Sequence, residues 1–305
     1  MIAFELTIIG SGSAVPSLQR AAASQLLTYG QHRILIDCAE GTQMRLQQLG
    51  LSAMRINYVL ISHLHGDHYF GLIGLIQTMH LLGRSRPLMI FGPPLLIDIL
   101  RLQLEVSHTE LRYPLEFTPL EIGEKQMILK NEQLSIYSFP LNHRIPTWGF
   151  LISEIQAKPN LRPEFVETYH PEPDAMKQIK QGAGFRLPDG TWLLHEDITY
   201  AARKPRSYAY CSDTAYVEEL SGWISHVDML YHEATFMDMH KAEAEKTFHS
   251  TTTQAAAVAL KAQVKRLLIG HFSTRYDDTK SMENEAKMVF PYTTAVKDGD
   301  RFLIG

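Results

Sequence analysis

The chain of 305 residues carries 29 Lys and Arg against 33 Asp and Glu, a formal charge of -4, and 45% hydrophobic residues. That is ordinary globular composition with enough chain to bury a full core, which sets aside disorder, collagen-like sequence and low-complexity repeats. A mildly acidic chain has no bulk excess of Lys and Arg for neutralising phosphate, so any nucleic-acid contact must rest on a local patch.

The predicted elements follow a regular order. Residues 6–9 form an apolar strand ending in the turn Gly10-Ser11-Gly12-Ser13, a second strand spans 33–37, and a helix from Gln43 to Leu49 stops at Gly50. A strand at 57–62 precedes a helix over 69–82 closed by Gly83. A strand at 88–91 precedes, after Pro93-Pro94, a helix near 95–106. Strands return at 134–139 and 149–155, then near 208–212, 229–231 and 266–269, with helices near 217–225, 253–262 and 282–290. This alternation predicts a layered α/β protein, two sheets inside helices, in a single domain over 1–305. A faint echo links Val59-Leu60-Ile61-Ser62-His63 to Leu267-Leu268-Ile269-Gly270-His271, each an apolar strand ending in a small residue and then histidine.

The pattern breaks between 156 and 189, where Pro159, Pro163, Pro171, Pro173, Pro188, Gly182 and Gly184 punctuate a stretch with few core-forming residues. It reads as an inserted arm, and long insertions in compact domains are either functional or mobile. From Met176 to Arg206, Lys177, Lys180, Arg186, Arg203, Lys204 and Arg206 outnumber Asp189, Glu196 and Asp197. Phosphate contacts require such a local excess, although a solvated surface face has the same composition. No uncharged apolar run approaches the ~20 residues of a bilayer span. Glu5 interrupts the opening apolar stretch, which reads as a strand rather than a leader. Cys38 and Cys211 allow one disulfide at most, which fits a reducing compartment; the expected setting is the cytoplasm, away from membranes.

Fourteen histidines are the unusual count. Three of them lie in Ser62-His63-Leu64-His65-Gly66-Asp67-His68, directly after an apolar strand. Neutral imidazole and carboxylate suit zinc, whose bonds of about 2.0–2.1 Å demand tightly converging ligands. Extended backbone sends His63 and His65 to one side, and the turn at Gly66 directs Asp67 and His68 to a second position. Two neighbouring ions accommodate that segment better than one. His32, His80, His108, His170, His195, His226 and His240 show no ligand spacing, and the cysteines read as small buried hydrophobes.

The His-x-His-x-Asp-His run after a strand resembles the signature of the metallo-β-lactamase superfamily, an αβ/βα four-layer sandwich with a two-metal site at one edge of its sheets. The resemblance implies the remaining ligands: His143 after strand 134–139, Asp213 in Tyr210-Cys211-Ser212-Asp213-Thr214, and His271. Within that superfamily the sequence is similar to the ribonuclease Z family of tRNA 3′-processing endonucleases over nearly its whole length. The likeness is carried by Gly10-Ser11-Gly12-Ser13-Ala14-Val15-Pro16, Leu35-Ile36-Asp37-Cys38-Ala39-Glu40-Gly41-Thr42-Gln43, His232-Glu233-Ala234-Thr235 and His249-Ser250-Thr251. The arm sits where that family carries the exosite gripping the tRNA elbow. Two departures bear on tRNA contact rather than on metal chemistry. After Pro16 the family's Lys-x-Arg-Asn pattern is replaced by Leu18-Gln19-Arg20-Ala21, and the arm has Lys180-Gln181-Gly182-Ala183-Gly184-Phe185 in place of a Gly-Pro run.

The resemblance implies two zinc ions per subunit, one held by His63, His65, His143 and Asp213, the other by Asp67, His68, His271 and the shared Asp213. It gives Asp67 the task of orienting water and accepting its proton, and His249 that of protonating the leaving 3′ oxygen, with Glu233 holding the His249 ring. A precursor tRNA would then yield a 3′-hydroxyl on the tRNA and a 5′-phosphomonoester on the trailer. Arg20, Lys177, Lys180 and Arg186 are the candidate tRNA contacts, and the family's short form is commonly a homodimer. Two other readings stay open here: a two-zinc phosphodiesterase for small or cyclic nucleotides, and a catalytically silent RNA-binding subunit.

Overall fold

The structure, a computed structural model, describes residues 2–15 and 17–305; Pro16, which ends the N-terminal turn motif, lies outside them. The N-terminal half builds a seven-stranded sheet. β1 (Phe4–Gly10), β2 (Ser24–Tyr29) and β3 (His32–Ile36) are antiparallel neighbours. β4 (Tyr58–Leu60), β5 (Leu88–Gly92) and β6 (Leu115–Pro119) extend the sheet in parallel from β3. Parallel neighbours need crossovers, and these hold α1 (Thr42–Gln48), the single turn α2 (Gly66–Tyr69), α3 (Leu72–Leu81) and α4 (Leu96–Val106).

The second sheet begins with the antiparallel strands β7 (Gln126–Lys130), β8 (Leu134–Leu141) and β9 (Thr147–Glu154). The chain then leaves for the arm: β10 (Asn160–Leu161), α5 (Pro163–Tyr169), α6 (Pro173–Ile179), β11 (Phe185–Arg186), β12 (Trp192–Leu193), α7 (His195–Ile198) and β13 (Thr199–Tyr200). It returns through β14 (Ser207–Cys211), α8 (Leu220–Trp223), β15 (Met229–Glu233), α9 (Lys241–Thr247), α10 (Thr252–Lys261), β16 (Arg266–Gly270), α11 (Lys280–Lys287) and β17 (Thr293–Ala295). β14 to β17 are parallel, and β18 (Arg301–Leu303) crosses back to pair with β1. Each sheet is thus antiparallel on one side and parallel on the other.

Both faces of each sheet are covered, which is why the central strands are almost continuously apolar. Phe4, Leu6 and Ile8 of β1 meet Trp148, Phe150 and Ile152 of β9 and Tyr210 and Tyr231 between the sheets. On one outer face Val59 and Ile90 pack against Leu46, Leu72, Ile76 and Leu96 of the helices. On the other, Leu230, Leu267 and Ile269 pack against Ala255, Ala256, Ala259 and Met282. The layers run helix, sheet, sheet, helix.

Several elements depart from the expectations. The edge strands β6 and β7 are largely solvated, β6 showing only the short alternation Leu115-Glu116-Phe117-Thr118 and β7 none, and β17 and β18 have only three residues each. The buried β2 opens on Ser24 and Gln25, polar residues that disguise it. The expected helix over 69–82 divides at Gly71, where a Cβ would lie 2.0 Å from the Ala39 carbonyl oxygen. Of 217–225 only the one turn of α8 is helical. The arm also runs past 189. Asn160 pairs with Tyr200, and Phe165, Ile179 and Ile198 form a small core of their own.

Candidate metal centre

The strands that carry candidate ligands end on one edge of the molecule. β8 and β14 are both antiparallel to β9, hence parallel to each other, and β15 and β16 run the same way. Their C-terminal ends deliver His143, Asp213, Glu233 and His271; β3 and β4 of the other sheet deliver Asp37 and the segment from Ser62. The Trp148 N–H donates to the Ser62 carbonyl at 3.0 Å and joins the two edges. Asp37, Asp213 and His271 adopt left-handed backbone, with φ of 55°, 57° and 59°. That conformation costs on the order of 1 kcal/mol for a residue with a Cβ and persists where surroundings over-determine it, often at functional sites.

Hydrogen bonds fix the tautomer of four imidazoles. His68 Nδ1 lies 2.7 Å from Asp37 Oδ2, and a carboxylate only accepts, so the nitrogen carries the proton. His143 Nδ1 donates in the same way to the Phe248 carbonyl at 3.0 Å. The Ser62 hydroxyl donates to Asp37 at 2.9 Å, leaving its oxygen to accept from His63 Nδ1 at 2.9 Å. The Thr235 hydroxyl donates to Glu233 Oε2 at 2.7 Å and accepts from His271 Nδ1 at 2.9 Å. In the neutral rings, all four Nε2 atoms therefore turn bare lone pairs inward, and those of His68 and His271 are buried with no hydrogen-bond partner.

Those lone pairs face the remaining candidate ligand atoms. His63 Nε2 and His143 Nε2 lie 3.0 and 3.2 Å from His65 Nδ1, and 3.6 and 3.7 Å from Asp213 Oδ2. His68 Nε2 and His271 Nε2 lie 3.3 and 3.1 Å from Asp213 Oδ1, and 3.4 and 3.7 Å from Asp67 Oδ2. Around the carboxylate oxygens, electron pairs gathered this closely repel unless positive charge sits among them. Four donors set tetrahedrally at about 2.0–2.1 Å from an ion stand about 3.3–3.4 Å apart, in the middle of the observed separations. The donors fall into two groups of metal-ligand character, His63, His65, His143 with Asp213 and Asp67, His68, His271, and a third, Asp213, His249 and His271, overlaps them. One oxygen of Asp213 faces each of the first two. The need for positive charge also shows at His68: burial opposes its protonation, yet Asp213 and Asp37 raise its pKa well above the ordinary value.

Beside these groups Glu233, fully buried at the end of β15, receives four donors. Oε1 accepts from His249 Nδ1 at 2.8 Å and the Thr214 N–H at 3.0 Å; Oε2 accepts from the N–H and hydroxyl of Thr235 at 3.0 and 2.7 Å. Burial works against a charged His249, but the charge and hydrogen bond of Glu233 override it and raise the pKa to about 9. Local structure sets this ring in place. α9 ends on Phe248 in left-handed backbone, and α10 starts two residues after His249 with a capping box of Thr251 and Gln254. The open cleft in front of the cluster measures about 480 Å³ and is walled by Ser13, Ala14, Val15, Arg144, Phe236, Ser273 and Thr274.

The structure therefore brings His63, His65, Asp67, His68, His143, Asp213, Glu233, His249 and His271 to one place. The four expected tRNA contacts lie elsewhere. Arg20 donates to the carbonyls of Ser273, Tyr276 and Asp277, so its guanidinium ties the N-terminal turn to the loop after His271. Lys177 and Lys180 line a hollow of about 270 Å³ on the arm together with Lys158, and Arg186 is exposed on β11. Two members of the expected basic excess, Arg203 and Arg206, are paired with Glu154 where the arm joins the sheets. Asp37 and Thr235 have no role in the sequence reading, although both lie in the motifs quoted above. Asp37 also accepts from the Tyr210 hydroxyl at 2.7 Å.

Two mixed sheets inside helices, with a histidine–aspartate cluster where strand ends meet, make this a metallo-β-lactamase-fold protein with a metal-binding site. The family described as Anti-Pycsar protein Apyc1 matches residues 4–157. Ribonuclease Z of Parabacteroides distasonis is 40% identical over 304 residues, covering 100% of both chains. Ribonuclease Z of Cytophaga hutchinsonii is 42% identical over 306 residues, 99% of this chain and 96% of the relative. The crystal structure of human tRNase Z, short form, superposes with a TM-score of 0.71 at 27% identity over 98% of each chain. The chain belongs to the ribonuclease Z family.

Proposed function

We propose that the protein removes the 3′ trailer from precursor tRNA by hydrolysis, using two zinc ions per subunit, one in each donor group. The observation that carries this reading is the placement of a carboxylate-sharing pair of donor sets beside a buried carboxylate–imidazole dyad in a single cleft. When bound, the metals activate water and neutralise the charge that builds on the phosphate. The protein's own groups supply the rest. Asp67, lining the cleft and held ionised by His68 and His271 against the effect of burial, orients the attacking water and accepts its proton. His249, kept cationic by Glu233, donates through its free nitrogen to the leaving 3′ oxygen. Thr214 and Thr235 hold the Glu233 carboxylate so that the dyad keeps its aim. The products are a tRNA 3′-hydroxyl and a trailer with a 5′-phosphate.

On this reading the segment from 156 to the neck at Arg206 is an exosite, and Lys177, Lys180 and Arg186 meet tRNA phosphates far from the cleft. The protein works as a homodimer in the cytoplasm; among the described residues no helix is long and apolar enough to cross a membrane. Incubation with a precursor tRNA bearing a 3′ trailer should give one cut at the end of the tRNA body, with the termini above identified by end mapping. Turnover of cyclic nucleotides with intact precursor left in the same preparation would overturn the assignment.

A further inference from the structure

We propose that Arg144 and the apolar groove beside it bind one single-stranded nucleotide adjoining the scissile phosphodiester, the guanidinium taking its phosphate and the groove its base; the inference rests on the ribonuclease reading of the cleft. Arg144 directly follows the ligand His143 in the link from β8 to β9, and among the residues lining the cleft it is the one Lys or Arg. Its side chain is exposed, with no hydrogen bond or ion pair to its guanidinium among the described residues. An unpaired guanidinium at the cleft is placed to take an anion, and a phosphate is the anion this cleft receives on the ribonuclease reading.

The backbone then steps out of the cleft. Ile145 and Pro146 join Leu64, Pro94, Leu95 and Ile122 around a groove of about 560 Å³, and His65 is a wall of both spaces. Leu95 and Ile122 are 65% and 77% exposed, so the groove is open to solvent, with His65 standing between it and the reaction site. A guanidinium at the mouth of an apolar trough matches the two halves of a nucleotide, a charged phosphate and a base whose flat faces pack on apolar side chains.

The test compares precursor tRNA with bis(p-nitrophenyl) phosphate, which has no nucleotide, for the wild type, Arg144→Ala, Arg144→Lys and Ile122→Asp. The ratio of the two kcat/KM values should shift about tenfold against precursor tRNA in Arg144→Ala, mainly through KM, with partial recovery in Arg144→Lys. The salt dependence of precursor binding should lose about 0.7 in log–log slope, the share of one single-strand phosphate. Ile122→Asp, an exposed change that spares the core, should shift the same ratio several-fold. An unchanged ratio in Arg144→Ala, or equal losses on both substrates, overturns the phosphate contact, and an unchanged ratio in Ile122→Asp overturns the base groove. Wild-type protein that cuts the small ester but no precursor tRNA removes the ribonuclease reading and this inference together. Wild-type protein that cuts both, with Arg144→Ala indistinguishable from it, ends this inference alone.

Discussion

At the sheet edge Asp37, His63, His68, Glu233 and His271 are each no more than 1% exposed; His63 is held by its neighbour Ser62, and the others by hydrogen bonds to residues distant in the chain. On the arm, Phe165, Ile179 and Ile198 are the core, and the basic side chains stand in solvent. Only Leu161, Val166, Phe185 and Leu193 pack around those three side chains, a small core for a segment from 157 to 203, so the arm depends on its attachment. That attachment is narrow. Ser153 pairs directly with Ser207 across β9 and β14, and the arm is inserted between these adjacent positions. On the proposed function, chemistry and recognition therefore sit on separately packed parts that can change independently. The arm's departure from the family's Gly-Pro run fits this division, because it falls where packing constrains the sequence least.

Substitutions should respect that division. The largest effect is expected from His65→Ala, which removes a candidate metal ligand in contact with His63 and His143 without disturbing the buried network behind them. Bound metal should fall and both precursor tRNA and bis(p-nitrophenyl) phosphate should lose at least about 10³-fold in rate, as read by metal analysis and the two assays. Full activity in that variant would sink the site.

Next comes His249→Ala, with a loss of about 10²–10⁴-fold on precursor tRNA and unchanged metal content. p-Nitrophenolate leaves without a proton, so the small ester should be affected much less. The pKa raised to about 9 gives the sign of the pH effect: His249 carries its proton below that value and loses it above. Wild-type turnover should fall on the alkaline side, with bound cations drawing that limb below about 9, and the variant should lack it. The associated stabilisation is complete below the unfolded value of about 6.5 and fades as pH rises through the folded one. Excising 157–203 and closing the gap with a short turn ranks third. Precursor tRNA should lose about 10- to 100-fold, mainly in KM, while the small ester stays within about twofold. Equal losses on both would show that the arm and the edge are one mechanical unit after all.

How far the sequence anticipates each part follows from the range of its contacts. The segment from His63 to His68 packs four donors into one run, and His143, Asp213 and His271 each follow an apolar strand, so the ligand set is legible residue by residue. Asp37 and Thr235 are not, because the rings they orient lie 31 and 36 positions away and only the fold brings them together. The prolines of the arm announce an insertion but conceal its helices. Pro163 and Pro173 are first residues of α5 and α6, where the missing N–H costs nothing and the fixed φ suits a helix start. Its basic excess is overstated in the sequence for a similar reason, since Arg203 and Arg206 both pair with one carboxylate some fifty residues earlier.

That carboxylate, Glu154, lies at the junction of the two regions and sharpens the comparison most finely. It is 5% exposed, and its oxygens accept from the Arg206 N–H at 2.7 Å, the Arg206 guanidinium at 2.6 Å and Arg203. Burial alone would raise its pKa; the two arginines prevail and hold it at about 2. Because the folded value is below the unfolded one of about 4.3, the stabilisation is complete above that pH and is lost as pH falls through about 2. Glu154→Gln keeps the shape and removes the charge, so it should cost about 1.5–3 kcal/mol near neutrality, read as a lower urea midpoint. Metal content and turnover of the small ester should not move, since the neck touches neither donor group. The gap between variant and wild type should narrow as pH drops below 4 and vanish near 2. A gap that stays constant across that range would mean that the neck is held by packing rather than by paired charge, and the arm's attachment would then be part of the rigid core instead of a separate electrostatic clasp.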